Sequence, residues 1–173
     1  MRSFGAESAG RGFGILAGNR GREAGNRNGR YGRRTRRPRR VLTALRGSCA
    51  CGATEYEVED AFVYAMNCHC SKCRAATGSA YKPMGGIERE KVRVTREDVP
   101  MFVWGKPDAG DFRCGVCGSF LYSVVRDGKW AHVTLGSLVD APSRLPDHHI
   151  FVGSKASWDE IRDGLPQFEG YVE

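Results

Sequence analysis

Seven cysteines fall in three tight clusters, and no cysteine lies outside them. The clusters read Cys49-Ala-Cys51, Cys68-His-Cys70-Ser-Lys-Cys73 and Cys114-Gly-Val-Cys117. Gaps of one and two residues put neighbouring sulfurs on one tight turn, where they can point at a single ion. The fold must therefore bring three separate turns to common points in space. Seven thiolates divide into four, which close a tetrahedral shell, and three, which leave one coordination position open. The pattern predicts two zinc ions, one structural and one with a working face.

Two other chemistries use clustered cysteines. A disulfide scaffold would leave one of seven thiols over and would strain a Cys-x-Cys pair. It also calls for a secretory context, and no apolar leader run precedes the cysteines. Iron–sulfur clusters take four thiolates as well. However, Cys114-Gly-Val-Cys117-Gly118 reads as a zinc knuckle, in which glycines let backbone N–H groups turn toward the sulfurs.

A knuckle at Cys114 and Cys117 needs a second pair, and Cys49 with Cys51 can supply it. Cys68, Cys70 and Cys73 can then wrap one face of another ion, a local triad being easy to preorganise. A second division stays open, in which Cys49 and Cys51 meet Cys70 and Cys73. It leaves Cys68, Cys114 and Cys117 as a triad drawn from distant segments. His69, between two of the cysteines, is expected to point away from their metal, as a supporting or exposed group. His132 reads as a packed, hydrogen-bonded strand residue, and His148 and His149, which follow Pro146 and precede an apolar strand, read as structural groups.

The charge is unevenly placed. Net charge is +7 over 173 residues. Residues 1–46 hold thirteen Arg and no Lys against Glu7 and Glu23, which gives +11. Residues 47–173 hold fourteen Lys and Arg against eighteen Asp and Glu, which gives −4. Residues 1–41 are rich in Gly, Arg and Asn, cannot bury enough apolar surface to order, and read as a disordered arm. Its densest stretch, Arg33 to Arg40, allows three readings: a nucleic-acid-binding tail, a targeting peptide without an apolar face, or an extension without function. No run is long and apolar enough for a membrane span, so a cytoplasmic protein is expected.

From residue 42 to 173 the pattern changes to one zinc-binding domain of short alternating runs. Strands are expected at Ala53–Val58, Phe62–Met66, Lys91–Thr95, Phe120–Val125, Trp130–Leu135 and His149–Val152. A hairpin is expected with Cys114 and Cys117 at its tip. Glycines, among them Gly78, Gly85, Gly86, Gly105 and Gly110, read as turn markers. One helix is expected at Ser157–Asp163, with Ser157 and Glu160 as a capping box and Gly164 as its stop. The fold class is mostly β, made of short twisted antiparallel sheets.

Gly47-Ser-Cys-Ala-Cys-Gly52, Cys68-His-Cys-Ser-Lys-Cys-Arg74 and Arg113-Cys-Gly-Val-Cys-Gly-Ser119, in this order, resemble the glutathione-dependent formaldehyde-activating enzyme (Gfa) and centromere protein V domain family. Weaker matches lie at Gly136–Asp140, Pro146–Phe151 and Trp158–Phe168. The resemblance spans about Leu45 to Gly170 and leaves the arm uncovered. It implies an Mss4-like fold with two zinc ions. It assigns Cys49, Cys51, Cys114 and Cys117 to a structural zinc, and Cys68, Cys70 and Cys73 to a catalytic one. It implies a carbon–sulfur lyase that joins glutathione and formaldehyde as S-hydroxymethylglutathione, or cleaves that adduct. Lys72, Arg74, Lys82 and Arg113 could then receive glutathione's carboxylates, although each reads first as an ordinary surface charge. The family's centromere branch pairs a basic amino-terminal region with such a domain, so a zinc-scaffolded module whose arm contacts nucleic acid is the alternative function.

Overall fold

The computed structural model describes residues 44–172. The arm at 1–41, and every reading of it, lies outside the described residues. Among the described residues, eleven strands and one α-helix follow one another in the order β1 (Ala44–Ser48), β2 (Thr54–Glu59), β3 (Tyr64–Cys68), α1 (Ser71–Thr77), β4 (Lys82–Glu88), β5 (Val92–Glu97), β6 (Phe102–Lys106), β7 (Ala109–Arg113), β8 (Phe120–Val125), β9 (Trp130–Thr134), β10 (His149–Ile150) and β11 (Gln167–Phe168). The fold is mostly β, as the alternation predicts.

Two sheets form. One has three antiparallel strands in the order β1-β2-β5. The other has eight, in the order β11-β10-β3-β4-β9-β8-β7-β6. Its pairs are antiparallel except β10, which runs parallel to both β3 and β11. In β2, Thr54, Tyr56 and Val58 are buried while Glu55 and Glu59 face solvent, the period-two signature of a half-buried strand. Tyr56 and Val58 pack with Leu45 and Val92 against Ile87, Leu121, Val124, Ala131 and Val133 of the larger sheet. The main core therefore lies where the sheets meet. A smaller cluster of Cys68, Met84 and Ile150, backed by Met66 and Phe151, lies around the second cysteine group.

Two expectations are corrected. Ser157–Asp163 is not a helix: Ser157 and Trp158 make a turn, and the chain runs on without helical structure. Seven residues nucleate a helix poorly on their own. Here Asp163 instead reaches His149, with Oδ2 at 2.9 Å from Nε2, and accepts the Leu165 N–H at 3.1 Å. The helix is α1, inside the second cysteine cluster. Cys70 caps it by accepting the Cys73 N–H on its sulfur, and Gly78, left-handed at φ 61°, closes it with a bond to the Arg74 carbonyl. That is a helix start and stop built from a thiol and a glycine.

β4 departs from the expected pattern as well. Gly85 and Gly86 read as turn markers but stand inside a buried central strand, paired with β3 and β9. They are glycines because aromatic rings lie on them. A Cβ at Gly85 would stand 2.6 Å from the Phe62 ring, and one at Gly86 would stand 2.1 Å from the Tyr64 ring. Gly105 and Gly110 likewise pair with each other across the β6–β7 hairpin.

Candidate functional site

The seven sulfurs gather in two groups. Cys49, at the end of β1, and Cys51, beyond it, meet Cys114 and Cys117 from the β7–β8 turn, with all four sulfurs within 4.8 Å of one another. Cys49 and Cys51 sulfurs are 3.5 Å apart, and Cys51 and Cys114 sulfurs 3.9 Å. A tetrahedral zinc with Zn–S bonds of about 2.3 Å sets its sulfurs roughly 3.8 Å apart, so this group has the dimensions of a closed zinc shell. All seven cysteines are free thiols.

Hydrogen-bond donors lie against three of the four sulfurs. The Thr54 N–H donates to the Cys49 sulfur at 3.2 Å, and the Val116 N–H to the Cys114 sulfur at 3.4 Å. The Ser119 hydroxyl, 3.1 Å from the Cys117 sulfur, and nearby backbone donors hold that thiol down to about 5. Ser119 Oγ also accepts the Ala50 N–H at 3.0 Å, which ties the two turns together.

The second group is Cys68, Cys70 and Cys73, again within 4.8 Å. Cys68 is the buried last residue of β3, Cys70 caps α1, and Cys73 sits in its first turn. The Cys68 thiol is lowered below its ordinary value because Cys73 donates to it; the same contact, with burial, raises Cys73. The sequence spacing favours this division into four and three, and the structure gathers the sulfurs that way; the alternative grouping is not formed.

His69 faces away from the sulfurs. It is fully buried, its Nε2 lies 2.8 Å from His149 Nδ1, and His149 in turn bonds Asp163. Asp159 Oδ2 lies 3.8 Å from His69 Nδ1. Burial first, then His149, lowers the His69 pKa. This chain pins the Cys68–Cys70 turn to the carboxy-terminal segment. The sequence reading missed Asp159 and Asp163, about ninety residues away, for want of any local signal. His132 is a packed strand residue as expected, with Tyr64 Oη at 2.8 Å from its Nε2. His148 contacts the neighbouring Asp147.

Two clefts open beside the triad. One, of about 600 Å³, is lined by Cys73, Lys82, Phe102, Trp104, Arg113 and Phe120 among others. The other, of about 680 Å³, runs past Cys68 and Cys70 to Arg126, His132 and Tyr171. They share Lys72, Cys73, Lys82, Trp104, Asp111 and Ser123. Phe151, held in the left-handed region at φ 58°, lines the second cleft and packs on the Cys68 cluster. Such a conformation is strained for a bulky residue, and strain of this kind collects at functional sites.

The four cations named from sequence fare differently. Lys72 is exposed. Arg74 Nε donates to the His69 carbonyl at 3.3 Å. Arg113 donates to the Ala76 carbonyl at 2.6 Å and stacks on Phe120, so it braces α1. Lys82 is not a surface charge: it is 2% exposed, and its Nζ donates to Ser123 Oγ at 2.8 Å. Burial lowers its pKa, against the pull of Cys73 and Asp111. Arg126, which the sequence reading did not single out, lies over the Trp130 ring and makes no salt bridge among the described residues.

No helix among the described residues is long and apolar enough to cross a membrane. A comparison with curated proteins finds no match. Among solved structures, the crystal structure of a Rhodobacter sphaeroides protein aligns with a TM-score of 0.48 at 26% identity, covering 59% of this chain and 98% of that one. The glutathione-dependent formaldehyde-activating enzyme family matches residues 44–154, a stretch that takes in all three cysteine clusters, the helix cap and the strands that hold them. The chain belongs to that family.

Proposed function

We propose that the protein joins a glutathione-type thiol to a small aldehyde such as formaldehyde, and cleaves the adduct in reverse as a carbon–sulfur lyase. In this reading Cys49, Cys51, Cys114 and Cys117 hold a structural zinc, and Cys68, Cys70 and Cys73 hold the working one. The observation that carries it is the contrast between the groups: four sulfurs close on themselves, whereas three face clefts large enough for two substrates. A zinc ion held by the triad would supply a fourth position at which an incoming thiol is kept as thiolate. The family match supports the thiol and aldehyde classes.

The chain's own residues do the rest. Cys70 holds the first turn of α1, so helix and thiolate are placed by one atom. The His69–His149–Asp163 chain fixes the turn from behind. Arg126 and the exposed Lys72 line the larger cleft and make no salt bridge among the described residues, so either can meet a carboxylate of the thiol. The apolar lining of Met66, Met84, Ile150 and Phe151 limits water around the reacting atoms. Free thiols throughout fit a reducing compartment such as the cytoplasm.

The test mixes protein, glutathione and ¹³C-formaldehyde and follows exchange between free aldehyde and S-hydroxymethyl adduct by NMR. Wild type should speed the exchange, and Cys70→Ser should lose at least about a hundredfold of that acceleration, the scale of loss for a group acting directly in the chemical step. Equal rates with and without protein, for glutathione and for other low-molecular-weight thiols, would overturn the reading.

A further inference from the structure

Formaldehyde leaves much of the smaller cleft unexplained. Phe102 and Trp104 stand two residues apart on β6, so they share one face of the strand, and they are 57% and 64% exposed. β6 is an edge strand of the eight-stranded sheet, and exposed apolar side chains on an edge invite aggregation unless they serve a purpose. Both line the same cleft as Cys73, with Ala75 and Ala76 of α1. An aldehyde of two heavy atoms that reaches the sulfurs would leave these rings in water. A cleft of about 600 Å³ falls in the range that encloses a larger ligand.

Lys72, Lys82, Asp111, Arg113 and Ser123 line this cleft as polar groups, and Lys82 is the most deeply buried of them. Its Nζ lies 4.1 Å over the Phe120 ring and donates to Ser123 Oγ, which donates to Asp111 Oδ1 at 2.7 Å. No carboxylate pairs with the ammonium directly among the described residues. An ammonium carries three donors, and Ser123 takes one. Buried donors are normally hydrogen-bonded, and Lys82 lines the cleft, where an oxygen can meet its remaining N–H groups. On β4, Lys82 stands opposite Cys68 of β3, so the ammonium rises from the same strand pair that presents the first sulfur of the triad.

We propose that this cleft takes an aromatic aldehyde, its ring against Phe102 and Trp104 and its carbonyl oxygen on the Lys82 ammonium. The proposal rests on the thiol–aldehyde reading above and narrows its substrate class. The thiol, in the larger cleft, adds across the carbonyl. One S–C bond forms and the C=O π bond breaks. The electron pair goes to the oxygen facing Lys82, and the proton lost by the thiol ends on that oxygen. The product is an aryl hemithioacetal, with no change of oxidation state. Lys82 is then a catalytic residue, because charge develops on the atom it touches.

Binding tests this without turnover. Zinc-loaded full chain is titrated with benzaldehyde, acetaldehyde and toluene by calorimetry and ligand-observed NMR. Benzaldehyde should bind at least about tenfold more tightly than acetaldehyde. Trp104→Ala and Phe102→Ala, both at exposed positions, should erase that margin. Lys82→Met should weaken benzaldehyde and leave toluene unchanged, a split that a merely structural lysine would not produce. Equal affinity for the two aldehydes, or a preference unaltered by Trp104→Ala, would overturn the proposal. If benzaldehyde binds in this way but no thiol–aldehyde pair turns over, the catalytic reading falls and this site stands. If formaldehyde turns over and no aromatic preference exists, the reverse holds.

Discussion

Gly86 and its neighbour Gly85 show how far single atoms decide this fold. Their missing Cβ atoms make room for Tyr64 and Phe62. Tyr64 has little freedom to yield, since its ring stacks on Trp130 and its hydroxyl bonds His132. Gly86→Val should therefore destabilise the domain by about 1–3 kcal/mol, the usual cost of overpacking, read as a lowered urea midpoint; an unchanged midpoint would mean that the ring moves aside freely. His132 carries a pH prediction. Burial, then Lys82 and Arg126, lower its pKa from 6.5 to about 4. Between those values the unfolded chain binds the proton and the native chain does not, so this contribution is full above pH 6.5 and is lost as pH falls toward 4. His132→Gln keeps a hydrogen-bonding group without the titration. Across that window wild type should lose up to about 3 kcal/mol more than the variant, measured by urea unfolding at a series of pH values. Parallel profiles would show that His132 protonates without cost.

At the scale of elements, strands with regular alternation were legible, and elements defined by tertiary partners were not. β2, β5, β8 and β9 fall within a residue or two of their expected bounds, β2 by its period of two and β8, buried over four consecutive residues, by its β-branched and aromatic content. β4 hides because its middle is two glycines, whose reason for being there is a pair of rings arriving from before and within β3. The segment Ser157–Asp163 carries good local helix signals, yet its acids are used by histidines far away in sequence. In α1 the capping residue is a cysteine, which sequence rules for caps do not include. Asp163→Ala breaks the clasp on His149. It should lower the urea midpoint only slightly, because the carboxylate is half exposed. It should also speed amide hydrogen exchange at His69, whose N–H bonds the Ile150 carbonyl. Unchanged exchange there would mean that the turn is held by the sulfurs alone.

For the whole molecule, three cysteine clusters distant in the chain become two groups because the strand order brings their ends together. The division into four and three was readable from spacing. The sequence did not reveal which surfaces the groups face, since both clefts are lined from α1, β4, β6, β7 and β8 at once. Arg113 links the two groups by bonding the α1 carbonyl of Ala76 from the strand that leads into Cys114. The four-sulfur group pins the β1–β2 turn to the β7–β8 turn, so its loss should unfold the domain, as removal of structural zinc does in small domains. The three-sulfur group sits at a cleft edge, where α1 and β3 have their own caps and pairing. The most direct measurement of this account is zinc per chain in wild type, Cys70→Ser and Cys114→Ser, with circular dichroism on the same samples. Two zinc are expected in wild type, one in a folded Cys70→Ser protein, and a largely unfolded Cys114→Ser protein. One zinc in wild type that Cys70→Ser leaves unchanged, or equal unfolding of both variants, would contradict it.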